Sequence, residues 1–241
     1  KTDWCYKTEP DETMEGVSIP YPRGKTLGGS SSINGLLYIR GQEEDYNVWR
    51  QLGNTGWGWN DVLPYFIKAE NQERGENEFH GVGGPLSVSD IRVKLPILDV
   101  FRNAAKEAGI PSVKDFNTGD NFGCGYFQVT EKNGLRCSTA VGYLNPVKHR
   151  KNLKIETNCH VEKINFEKKK AVSISYWKKD KSFTVKSNKE IILSAGSIGS
   201  TQILQVSGIG EASKLKQLGI DVINDLVGVG KNLQDHLMFR P

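Results

Sequence analysis

Between Pro22 and Gly35 the chain sets four glycines, three consecutive serines and two cations within fourteen residues, ahead of an apolar run at residues 36–39. No other stretch of the sequence is as informative. Gly28 and Gly29 carry no Cβ, so the chain there can take positive φ and let a flat or anionic ligand approach the main chain. The N–H groups and the hydroxyls of Ser30, Ser31 and Ser32 can then reach phosphate, sugar or ring atoms, above all where a helix starts. The same residues also make an ordinary surface loop, and composition alone does not separate the two readings.

At 241 residues the chain has room for one large domain or two small ones, and its 37% of hydrophobic residues is enough for a packed core. No apolar run has the length of a transmembrane helix, and no charged-then-apolar leader opens the chain. The net charge of +4 is too small to imply nucleic acid. Much of that excess lies at residues 163–189, in Lys168, Lys169, Lys170, Lys178, Lys179 and Lys181. Between β-rich runs these lysines read as solvated hairpin turns, the alternative being a phosphate or membrane-surface patch. Cys5, Cys124, Cys137 and Cys159 have no C-x-x-C spacing, so they suggest neither zinc nor a disulfide framework. The expectation is no metal, reduced thiols, and a location in the cytoplasm or peripheral to a membrane.

The pattern predicts a mixed α/β (α+β) chain in three stretches: residues 1–50 with the glycine loop, 51–135 on a lid or substrate side, and 136–241. Asn60 is a candidate N-cap for a helix reaching Glu70, entered past Trp57 and Trp59. Residues 73–84 read as a loop or lid, and residues 84–88 as a short strand. Pro96 at the first helical position and Gly109 past the end bracket a second helix, with Ile97, Phe101, Ala104 and Ala108 facing inward. Ser138 is placed to cap a helix containing Ala140, Tyr143 and Leu144, which Pro146 bends or ends. Residues 36–49 fit helix or strand equally. Short β-rich runs at 153–157, 161–166, 171–177 and 182–186 predict an antiparallel meander. Residues 190–196 form a more continuous apolar run ending in Ala195 and Gly196, as in a buried parallel strand that turns into a helix. A short helix over 211–219 and a strand over 220–223 follow.

Residues 23–49 resemble the first signature of the glucose-methanol-choline family of flavin-dependent oxidoreductases, through Gly28-Gly29-Ser30-Ser31-Ser32, Asn34-Gly35, Tyr38-Ile39-Arg40-Gly41, Asp45-Tyr46 and Trp49. Residues 196–210 resemble its second signature, and residues 228–236 (Gly-Val-Gly-Lys-Asn-Leu-Gln-Asp-His) a third block. The likeness is greatest to the branch containing choline dehydrogenase and FAD-linked alcohol dehydrogenases. It implies part of a Rossmann-like FAD domain with a small antiparallel meander and part of a substrate domain. The family's opening G-x-G-x-x-G turn is not in this chain, and the segment carrying its catalytic His lies beyond Pro241, so the chain reads as the middle of a larger enzyme. By itself this stretch is expected to be inactive and to hold no catalytic residue.

Carried over by resemblance, Gly28, Gly29 and Ser30 approach FAD, and Asn34 and Gly35 lie beside its isoalloxazine. An Asn amide offers donor and acceptor alike to the ring edge, although a structural turn uses Asn equally well. Some members bind flavin covalently through a His immediately before this Asn. Here that residue is Ile33, which implies non-covalent FAD. Val161 matches a strand position whose main chain pairs with adenine, its side chain alone suggesting only core packing. Ala195 and Gly196 match a turn near the dinucleotide. His236 is read as structural. The implied reaction removes an alcohol proton and passes hydride to flavin N5, with a small-molecule alcohol as substrate and a quinone or another carrier as acceptor. Alternatives are a non-redox lyase that retains FAD, or an inactive binding module.

Overall fold

The computed structural model describes residues 2–236. The chain divides into two compact units, Lys1–Lys154 and Ile155–Pro241.

The first unit is organised by a small four-stranded sheet. Its spatial order is Leu37–Tyr38, Gln128–Val129, Leu86–Asp90, Glu70–Gln72. The first three strands pair antiparallel and the last lies parallel to its neighbour. Helix α1 (Glu43–Gln51) starts where the Asp45 carboxylate accepts the Gln42 N–H at 2.8 Å, with three acidic residues in its first turn and Arg50 in its last. Both charge placements suit the helix dipole. Residues 36–49, which the pattern left open, thus split into a strand and a helix.

Helix α2 (Trp59–Ala69) begins two residues earlier than expected. Gly58 is its cap, because Asp61 in the first turn reaches back to accept the Gly58 N–H at 3.0 Å. Asn60 is inside the helix. Trp59 is buried and packs this entry, whereas Trp57 is 55% exposed and lies tilted against Trp49, with ring centroids 6.1 Å apart. Helix α3 (Pro96–Glu107) has the expected Pro at its start and Gly109 at φ +86° past its end. Its inward face is not the expected one. Ala105 is buried, while Ile97 and Phe101 are 66% and 58% exposed, since no described element covers that side. Ser138 accepts the Val141 N–H at 3.4 Å ahead of a wide helical turn, Ala140–Leu144, which ends before Pro146.

In the second unit, His160–Glu167, Lys170–Lys178 and Lys181–Lys186 form the antiparallel meander. Lys179 and Asp180 both take positive φ in the two-residue turn, the geometry that matches strand twist in tight hairpins. The expected first strand, at 153–157, does not form. Helix α4 (Gly196–Val206) packs on the first meander strand, where the Ile164 N–H donates to Ser207 Oγ at 2.9 Å. Residues 190–195 are not a strand, and Ile192 is 79% exposed. A strand needs a neighbour for its N–H and C=O groups, and none of the described strands lies beside it. Helix α5 (Ala212–Gln217) ends toward Gly219 at φ +71°. The strand expected at 220–223 forms instead at Asn224–Asp225, parallel to Ile209–Gly210. Gly208 sets this register. A Cβ there would lie 2.3 Å from the Asp221 carbonyl oxygen.

Candidate flavin-side loop and its supporting network

Gly28 and Gly29 take φ of +87° and +54°, and a short 3-10 turn, Gly29–Ser32, follows. Gly24 folds under this turn so closely that a Cβ would sit 2.1 Å from the Gly29 oxygen. Sequence reasoning aimed the serine hydroxyls at a ligand, but the structure turns two of them inward. Ser31 Oγ donates to the Gly28 oxygen at 2.5 Å and Ser32 Oγ to the Leu27 oxygen at 2.8 Å. Ser30 Oγ accepts the Gly24 N–H at 3.1 Å. The hydroxyls build the loop, and Gly29, Gly35 and Asn34 form the open side, whereas a Cβ on Gly28 would meet Ser32 Oγ at 2.4 Å. Ideal Cβ positions on Gly29 and Gly35 meet nothing within 4 Å, and Asn34 is exposed.

A second segment, about a hundred residues later, straps the loop down. Thr139 donates its N–H to Ser31 Oγ at 3.0 Å and its hydroxyl to the Gly28 oxygen at 3.2 Å. Arg136 donates to Asn34 Oδ1 at 2.8 Å, to the Asn34 oxygen at 2.8 Å and to the Ser31 oxygen at 3.1 Å. Leu36 sits at φ +68°, a left-handed conformation costly for a branched side chain. Its carbonyl accepts from the Thr130 N–H at 2.8 Å, and its own N–H donates to Asn34 Oδ1 at 3.1 Å. Neither Arg136 nor Thr139 stood out in the sequence, because no local pattern links them to residue 30.

Beneath the sheet lies a buried polar cluster that sequence reading also missed. Glu70 is fully buried, and Glu70 Oε2 accepts from Arg40 at 2.9 Å and from His80 Nδ1 at 2.8 Å. His80 Nε2 donates to Asp115 Oδ2 at 2.9 Å. Burial works against charge on His80, but the hydrogen bonds to Asp115 and Glu70 and their negative charges outweigh it, raising its pKa to about 9. Both ring nitrogens face carboxylate oxygens, so the ring is an imidazolium. Burial pushes the Asp115 carboxyl up, but the hydrogen bonds from His80 and the Asn117 N–H, together with the positive charges of His80 and Arg74, more than offset it and leave it below the usual range. The Glu70 carboxylate is therefore spent on Arg40 and His80. The 73–84 segment is a loop, as expected, with His80 anchored at its C-terminal end.

The remaining expected contacts lie in the second unit. Val161 is on the first meander strand, opposite Tyr176. Lys163 pairs with Ser175, so Glu162 is an extra residue and the strand bulges beside Val161. Bulges re-aim main-chain groups, and this strand is at the sheet edge. Ala195 and Gly196 open α4, where Ser200 Oγ accepts the Ala195 N–H at 3.1 Å. Gly196 takes φ +80° with open space where a Cβ would be. His236 is exposed, not buried as a structural histidine would be, and its N–H donates to the Asp235 side chain. No cluster of candidate metal ligands occurs among the described residues.

The family model described as GMC oxidoreductase matches residues 12–238. Among curated proteins, the chain is 45% identical to an alcohol dehydrogenase [acceptor] of Pseudomonas putida and 43% identical to the mitochondrial choline dehydrogenase of Homo sapiens. Each comparison covers 98% of this chain but only 44% and 40% of those proteins. Among solved structures, an FAD-dependent oxidoreductase from Chaetomium thermophilum superposes with a TM-score of 0.92 at 34% identity, over 97% of this chain and 43% of that one. The chain spans less than half the length of each of these relatives, and it belongs to the GMC oxidoreductase family.

Proposed function

We propose that the polypeptide carrying this sequence oxidises the CH–OH group of a small alcohol, choline or a simple primary alcohol, with FAD as the immediate hydride acceptor. The observation that carries this reading is the open side of the 28–35 loop: two Cβ-free positions facing empty space beside an exposed, held amide. Those features fit a planar ring lying against the main chain. Gly28, Gly29, Ser30, Asn34 and Gly35 would hold the flavin end, and Val161, Ala195 and Gly196 the dinucleotide end. Bound there, the flavin supplies the two-electron acceptor that side chains lack.

The chain's own part is to bind and orient. The strapped loop keeps its glycines in conformations that admit the ring, so little ordering cost falls on binding. Ile33 has no nucleophilic atom, so the cofactor is held non-covalently. The same reading assigns residues 1–50 to the flavin loop, 51–135 to the substrate side and 136–241 to the continuing FAD domain. It leaves electrons to a quinone or another carrier, and the protein to the cytoplasm or a membrane surface. No helix among the described residues is long and apolar enough to cross a membrane.

The test is to purify the natural polypeptide from its own cell and record its visible spectrum before and after denaturation. Flavin bands that pass a small-pore filter only after unfolding, with dye reduction by choline or a simple alcohol, are the expected result. Flavin that stays on the unfolded chain contradicts the non-covalent assignment, and an absence of flavin contradicts the whole reading.

A further inference from the structure

Asn34 Oδ1 accepts two hydrogen bonds, from the Leu36 N–H at 3.1 Å and from Arg136 at 2.8 Å. Two donors on one side of the amide identify that atom as the oxygen and leave the Nδ2 hydrogens directed elsewhere. No acceptor takes them among the described residues, and Asn34 is exposed on the open side of the loop. Arg136 also donates to the main-chain oxygens of Ser31 and Asn34, so the side-chain hydrogen bonds of Arg136 among the described residues all fall on this loop. It forms no ion pair among the described residues. A short hairpin, Glu131–Lys132 with Leu135–Arg136, fixes its place, tightened by Asn133 and Gly134 at φ of +53° and +76°.

We propose that Arg136 is a positioning residue that makes Asn34 a donor-only group toward the bound flavin. The expectation that Asn34 offers donor and acceptor together is thereby narrowed: its acceptor is occupied by Arg136 and Leu36, so it can pair only with an acceptor atom of the cofactor, such as a ring carbonyl oxygen or an unprotonated ring nitrogen. The planar guanidinium fork reaches the side-chain oxygen and two main-chain oxygens at once, which a lysine ammonium cannot reproduce with the same geometry. This inference rests on reading the loop as the FAD cradle.

A double-mutant cycle on FAD affinity tests it in the natural polypeptide. Apo protein is titrated with FAD for wild type, R136M, N34A and the double variant, with the bound-flavin absorption maximum recorded throughout. R136M and N34A are each expected to weaken FAD binding about tenfold, as loss of one charge-assisted hydrogen bond does. They are expected to shift the absorption maximum in the same direction. The double variant should bind no more than about threefold less tightly than N34A, since Arg136 acts through Asn34. R136K should recover only a small part of the loss.

Multiplying losses, or R136M binding FAD as wild type does, overturn the proposal while leaving the flavin reading intact. Wild-type protein that binds no FAD overturns that reading and the proposal with it. If R136M fails to fold by circular dichroism, the same cycle run with R136K carries the test.

Discussion

His80 lies between two carboxylates, with Arg40 on the far side of Glu70 and Arg74 3.9 Å from Asp115. Its pKa rises on folding, so the charged ring stabilises the fold fully below the unfolded value of about 6.5, and that stabilisation is lost as pH rises through about 9. Asp115 has the opposite sign, and its contribution fades as pH falls below the usual carboxylate range. Urea titrations from pH 6 to pH 10 should therefore show stability falling at the alkaline end, and His80→Leu should flatten that limb. The same substitution leaves Glu70 without one partner and is expected to cost about 3–5 kcal/mol in the same titrations. An H80L variant as stable as wild type would show that the pair contributes nothing. At Gly24 the cause is steric. Gly24→Ala places a methyl group on the Gly29 carbonyl, which should destabilise by about 1–3 kcal/mol and weaken FAD binding with it. Gly28 and Gly29 could be read in the sequence as special backbone, but neither the close approach at Gly24 nor the Arg40–Glu70–His80–Asp115 cluster could. Its members are ten to seventy-five residues apart, and a buried ion pair leaves no periodic trace.

Among the elements, those whose determinants are local could be read in advance. Pro96 and Gly109 bracket α3, and lysine turns divide the meander. Elements defined by a distant partner could not. Residues 190–195 have the composition of a buried strand yet pair with nothing described, and the face of α3 bearing Ile97 and Phe101 is apolar yet exposed. In both, the sequence records a burial preference without naming what satisfies it. The seam between α4 and the meander has such a partner. Ser207 accepts the buried Ile164 N–H and donates to the Ile203 oxygen, so Ser207→Ala should orphan that N–H and cost about 1–3 kcal/mol by chemical denaturation. Amide hydrogen exchange at Ile164 should speed up in the same variant. Unchanged exchange there would mean that the bond does not hold the seam.

For the molecule as a whole, the family was legible from three motifs in order, and the family match over residues 12–238 agrees with it. The positions proposed for the cofactor fall in two compact units, the glycine loop in one and the 161 and 195–196 positions in the other. The loop depends on Arg136 and Thr139 from beyond its own neighbourhood, and motif matching alone gave them no role. The role proposed for this loop is to hold a flavin that an alcohol can reduce. It is tested most directly by the absorbance of the natural polypeptide under strict exclusion of oxygen, before and after choline or a simple primary alcohol is added. The expected result is a yellow protein whose long-wavelength flavin band bleaches with alcohol and returns on admitting an electron acceptor. A colourless protein, or a yellow one that no alcohol bleaches, would contradict it.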